Sequence, residues 1–172
     1  LRWIPIIYLI HKTIDMPFLN RHSPTKIQNN PALRTHDFEN AKIAAQKFTR
    51  YPTTAFSFAE GTRFTNEKRA LHSSLFENLL KPKIGALVTA LSGMPMVEEL
   101  IDFTIIYKTS KRSAWDFACG EMKDVKIIVK CYEIPKSILS IDNDSAVFRT
   151  EFRKFIDRIW REKQTLIKDK KY

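Results

Sequence analysis

Glu60, Gly61, Thr62 and Arg63 stand together at the end of the uncharged run Ala55-Phe56-Ser57-Phe58-Ala59, and chemistry in this chain is best sought there. A carboxylate, a hydroxyl and a guanidinium fall within four positions, around a glycine that permits backbone angles a Cβ would resist. The run before them has no charge and no breaker, which predicts a buried strand ending in a polar turn. Ligand sites in α/β sheets lie beyond the carboxyl ends of strands, where polar groups of this kind converge. The chain has only four glycines, so one placed here is informative. The same residues would also suit a solvated surface turn.

The partner such a site takes is bounded by charge. With 29 Lys+Arg against 19 Asp+Glu, the net charge is +10. That favours an anionic partner: a membrane surface, a phosphorylated substrate or a nucleic acid. A chain of 172 residues with 44% hydrophobic and 12% aromatic content is expected to fold as a single domain, residues 1–172. Cys119 and Cys131 make neither a disulfide framework nor a metal box, and read as reduced structural residues. No His/Cys/Asp cluster has ligand spacing, so no metal is implied. No stretch reaches the ~18–20 apolar residues of a membrane-spanning helix, and the longest apolar run, residues 3–10, is too short. The chain opens at Leu1 with neither an initiator Met nor the basic leader of a signal peptide, and is expected to be a piece of a longer one.

The elements that must position the turn follow from pattern. A helix is expected over residues 4–14, with Pro5 in its first turn, then a short strand over 16–22 and a polar loop over 23–35. Asp37 caps a helix marked by Ile43, Ala44, Phe48 and Tyr51, and Pro52 stops it. Beyond the turn, residues 66–69 read as a basic loop and residues 73–80 as a short helix broken by Lys81-Pro82-Lys83. A buried helix is expected over 84–91, ending near Ser92-Gly93. Residues 100–107 and 125–132 read as strands, with a basic loop over 108–113. Residues 145–168 read as one amphipathic helix, with Phe148, Phe152, Phe155, Ile156, Ile159 and Trp160 facing a core and a basic face toward solvent. The aromatics as a whole read as core residues.

Phe58-Ala59-Glu60-Gly61-Thr62-Arg63 resembles the F-P-E-G-T-R block of the PlsC-type glycerolipid acyltransferases, the 1-acyl-sn-glycerol-3-phosphate acyltransferase family. Phe18-Leu19-Asn20-Arg21 resembles the second half of the family's G-x-x-F-I-x-R block, with Asp15 in place of its glycine. Asp102-Phe103-Thr104, where many relatives carry a V-P-V proline, and Trp160-Arg161-Glu162-Lys163 are similar to the lysocardiolipin-acyltransferase-like branch. The resemblance implies an α/β fold with a mixed β-sheet flanked by helices. It implies transfer of an acyl group from acyl-CoA or acyl carrier protein, as co-substrate and with no cofactor, to the hydroxyl of a lysophospholipid. On this resemblance Arg63 and Arg21 contact phosphate, Glu60 accepts hydrogen bonds from the glycerol or organises the turn, Gly61 admits close backbone approach, and Thr62 donates or caps. It also implies membrane association at the cytoplasmic face, with any transmembrane anchor upstream of Leu1.

The family's H-x-x-x-x-D box, whose histidine is the general base, is not in this chain. Five residues after His11, His22, His36 and His72 stand Met16, Ile27, Ala41 and Glu77. The order of segments puts the box upstream of Leu1, so the chain is expected to lack its N-terminal catalytic segment, to be inactive alone, and to expose an apolar patch or an unpaired strand edge. The alternative from another class is a basic module that binds a membrane or nucleic acid without catalysis. Against its nucleic-acid form, no zinc finger, helix-turn-helix or RNA-binding aromatic block is present, and no nucleic-acid partner is expected.

Overall fold

The structure, a computed structural model, describes residues 9, 39, 42, 43, 45, 46, 49, 53–71, 74–109, 111 and 113–169. Its elements are α1 (Asn66–Leu71), α2 (Gly85–Gly93), β1 (Glu99–Tyr107), α3 (Ala114–Ala118), β2 (Val125–Glu133), α4 (Lys136–Leu139) and α5 (Ala146–Asp169). The chain divides into two compact units, Leu1–Ser57 with Gly85–Val97, and Phe58–Ile84 with Glu98–Tyr172. The fold class is mixed α and β, with one small antiparallel sheet and helices.

The second unit is assembled on α5. Its sequence puts Phe148, Phe152, Phe155, Ile156, Ile159 and Trp160 on one stripe, and all six are buried. The 24-residue helix is about 36 Å long at 1.5 Å per residue. Ser145 starts it: its Oγ accepts from the Phe148 N–H at 3.0 Å, satisfying a backbone donor that the first turn leaves open. Phe148 and Phe152 stack with centroids 5.6 Å apart. Burying side chains of this size contributes roughly 1.5–3 kcal/mol each, so the stripe dominates the unit's stability. Leu79, Leu80, Pro82, Ile84, Ile134 and Ile138 complete the core.

The strands β1 and β2 form where the sequence predicts them, and pair antiparallel over nine residues from Glu99↔Glu133 to Tyr107↔Val125. Among the described residues this two-stranded ladder is the whole sheet, antiparallel where a mixed sheet is expected. The connection between the strands holds α3, closed at its start by a capping box in which Ser113 and Asp116 satisfy each other's backbone N–H groups.

Several expectations are corrected. Residues 53–58 form no ladder, and Phe56 and Phe58 are exposed, so Ala55–Ala59 is not a buried strand. An apolar run becomes a strand only where another strand takes up its backbone groups. Residues 66–69 are helical, in α1. Residues 74–80 are not: Ser74 Oγ donates to the Leu79 carbonyl at 2.8 Å, and Leu79 and Leu80 are buried one after the other. Side-chain bonds of that kind compete with the helical ladder. Cys119 and Cys131 are free, as expected of reduced cysteines, but both are exposed. Trp115 and Phe117 are also exposed, so the aromatics are not uniformly core.

In the first unit, α2 bears out the expected helix, with Val88 and Leu91 buried. A Cβ on Gly93 would lie 2.9 Å from the Lys42 carbonyl oxygen and overlap the Ala45 side chain, so this close approach requires glycine. Residues 39, 42, 43, 45 and 46 are helical, as expected, but Ile43 is exposed rather than an inward mark. Leu9 is helical and exposed. The expected strand over 16–22, the loop over 23–35 and the Asp37 cap lie outside the described residues.

Candidate functional site

The turn is built by its own backbone. The Gly61 N–H donates to the Phe58 carbonyl at 2.8 Å, which puts Ala59 and Glu60 at the two central positions. Gly61 then takes φ +68°, where a residue with a Cβ is strained. The Lys83 N–H donates to the Ala59 carbonyl at 2.7 Å, so the segment with Pro82 is tied to the same turn. After Arg63, Thr65 caps α1: its Oγ1 accepts from the Lys68 N–H at 3.2 Å. This short helix folds the Lys68 side chain back, and its Nζ donates to Thr62 Oγ1 at 2.8 Å and to the Arg63 carbonyl at 3.3 Å. Thr62 thus spends an acceptor position on Lys68 and keeps its own O–H to donate.

Glu60 is turned the other way. Its half-buried carboxylate accepts from the Leu80 backbone. Burial raises its pKa above the usual carboxylate value, opposed by the Leu80 hydrogen bond and by the charge of Lys163. The Leu80 carbonyl in turn accepts from Trp160 Nε1 at 3.0 Å. Lys163 sits 4.9 Å from the centroid of the Trp160 ring and pairs with Asp102 at 2.6 Å, both side chains nearly buried. It also donates to the Phe103 carbonyl at 3.2 Å. Thr104 Oγ1 donates to the other Asp102 oxygen at 3.1 Å. Beside Lys163 on α5, Glu162 accepts from Tyr132 Oη at 3.0 Å.

Of the residues singled out by sequence, the structure brings Glu60, Gly61, Thr62 and Arg63 onto one turn, with Glu60 anchored inward and Arg63 exposed. Arg21 lies outside the described residues. The two short blocks Asp102-Phe103-Thr104 and Trp160-Arg161-Glu162-Lys163 meet: Lys163 reaches Asp102, and Trp160 holds the peptide that holds Glu60. Sequence reasoning gave Lys68 and Lys83 no place at the site. A signal for Lys68 was present, since Thr65 three residues before it is a cap of the kind that starts a helix. No protein-family model, no curated protein and no solved structure matches this chain.

Proposed function

We propose that the chain is the acceptor-holding part of an O-acyltransferase that moves a fatty acyl group from acyl-CoA or acyl carrier protein to a lysophospholipid. One observation carries the reading. The turn over Glu60–Arg63 separates its charges, with the carboxylate drawn in onto Leu80 and Arg63 exposed, one residue after Thr62, whose hydroxyl holds the Lys68 ammonium. A phosphate meets cation and hydroxyl there without meeting the carboxylate first. An acceptor hydroxyl attacks a thioester slowly unless a base takes its proton, and a positioned base contributes ~10²–10⁴-fold. Glu60 is committed to the Leu80 backbone, and no histidine of the chain has an aspartate five residues on. Its role in this reading is therefore to shape the turn, and the chain's contribution is binding and orientation. The finer fold, a mixed sheet flanked by helices, belongs to the same reading. So does peripheral contact with an anionic bilayer, which +10 supports. Among the described residues, no helix is long and apolar enough to cross a membrane.

Arg63→Ala tests it. Charge-assisted hydrogen bonds contribute roughly 1.5–3 kcal/mol, so affinity for 1-acylglycerol 3-phosphate should fall at least about tenfold. Arg63→Lys should recover part of it, because an ammonium lacks the planar fork. Binding measured on the folded variants decides: an unchanged affinity makes Arg63 an ordinary surface residue and removes the proposal.

A further inference from the structure

Lys68 and Lys83 come from outside the Glu60–Arg63 block, yet both close on it. Lys68 is bonded to Thr62 and to the Arg63 carbonyl. Lys83 is tied at its backbone to Ala59, and its side chain runs across the bare face of Gly61. A Cβ there would lie 3.3 Å from Lys83 Cδ and 3.5 Å from its Nζ. The missing side chain at Gly61 thus serves twice, for the turn and for the passage of this lysine. Among the described residues neither ammonium is paired with a carboxylate. The acidic groups nearest in sequence are accounted for. Glu60 faces Leu80 and Lys163, Glu77 pairs with Lys168 at 2.8 Å, and Glu67 is exposed on α1. One turn therefore carries three cationic side chains, Arg63, Lys68 and Lys83, and the O–H of Thr62.

We infer that Lys68 and Lys83 are anion-binding residues of this site, and that together they set a preference for a doubly charged phosphomonoester over a singly charged phosphodiester. The inference rests on the acceptor-holding reading of the turn and narrows it. Attraction between fixed charges scales with their product, so each added cation favours the ligand with the larger charge. A phosphomonoester carries close to two negative charges near neutral pH and three terminal oxygens. A diester offers one charge and two such oxygens. Lys68 is already bound at the Thr62 oxygen, so it is oriented before a ligand arrives, which lowers the ordering cost of binding.

The test is calorimetric or NMR titration of the full chain with glycerol 3-phosphate, glycerophosphoglycerol and inorganic phosphate, at fixed salt. Glycerol 3-phosphate should bind about tenfold or more tightly than the diester. Lys68→Gln and Lys83→Gln should each weaken it several-fold and shrink that ratio, while Lys154→Gln, a surface lysine paired with Glu151, should change nothing. Circular dichroism confirms that the variants fold. Equal affinity for monoester and diester, or lysine variants that behave like Lys154→Gln, overturns the inference. Lysine-dependent binding of inorganic phosphate as tight as that of glycerol 3-phosphate supports the lysine assignment and counts against the acyltransferase reading. Acceptor binding lost in Arg63→Ala but intact in both lysine variants does the reverse.

Discussion

The two faces of the β1–β2 hairpin differ in a way that composition alone would reverse. One face presents Ile101, Phe103 and Ile105 beside Val129, Ile127 and Val125, each between 39% and 57% exposed. The other presents Asp102 and Thr104, which are 9% and 2% exposed, among the half-buried Leu100, Ile106 and Ile128. Successive side chains point to opposite sides of a strand, so a shift of one residue would exchange the two sets. The polar face is the buried one because α5 brings it partners. Lys163 meets Asp102, Glu162 meets Tyr132 Oη, and Lys130 lies 3.6 Å from Glu162. Buried polar groups persist when each finds its counterpart, and here they do. The apolar face pairs its side chains across the strands, Phe103↔Val129 and Ile105↔Ile127. Register in this hairpin is thus held in part by charge and hydrogen bonding across to a helix some sixty residues away in sequence.

The comparison is broken most severely at Asp102. Asp102→Ala leaves Lys163 nearly buried without its ion-pair partner, with the Glu60 carboxylate left to oppose its charge from beyond ion-pair distance, and removing one member of such a pair typically costs about 3–5 kcal/mol. Urea denaturation should show that loss. Replacing both members, Asp102→Leu with Lys163→Met, should recover most of it, because well-packed apolar groups often match a buried ion pair. A single variant that costs under about 1 kcal/mol would mean the pair is solvated, and the inner face is not held in the way described.

What the sequence reveals, and what it hides, divides along the same line. The stripe on α5 is legible because the residues that pack lie three and four apart on one element, and every one of the six is buried. Both strands are legible because their pattern is a local property. Which face of them is buried is not legible. It depends on Lys163, which no window around Asp102 contains. Phe56 and Phe58 mislead for a related reason: an apolar run makes burial available without deciding it, and both rings are exposed. At the candidate site the turn is readable from Gly61. Lys68 becomes readable only once α1 is known to fold back on Thr62, and Lys83 only once its backbone is seen bonded to Ala59.

The exposed face should respond in the opposite sense and less strongly. Phe103→Thr and Ile127→Thr remove apolar surface that is about half in water already, so each should cost no more than about 1 kcal/mol. Both keep residues suited to strands. Light scattering should show aggregation beginning at higher protein concentration, because the exposed ladder and its strand edges are the adhesive part of the hairpin. A cost near that of Asp102→Ala would show that this face is covered in solution, and the contrast between the faces would disappear.

The smallest effect is expected at Tyr132, where the polar face can be followed by titration. Its phenol is pushed up to about 12 from an ordinary 10. Burial is the main cause, followed by the hydrogen bond to Glu162 and the negative charges of Glu162 and Asp102, with Arg158 opposing. A folded-state pKa above the unfolded one stabilises the fold fully below the unfolded value and loses that stabilisation as pH rises through the folded one. Tyr132 should therefore contribute a constant amount up to about pH 10, and progressively less between about 10 and 12. Tyr132 is only partly buried, so solvent screening keeps the contribution small. The difference in phenolate absorbance between the parent chain and Tyr132→Phe isolates this one of the five tyrosines. A midpoint near 12 is expected, moving down toward 10 in Glu162→Gln as the accepting carboxylate is removed. A midpoint already near 10 in the parent would place the hydroxyl in water, away from Glu162, and would unfasten the outer end of the polar face.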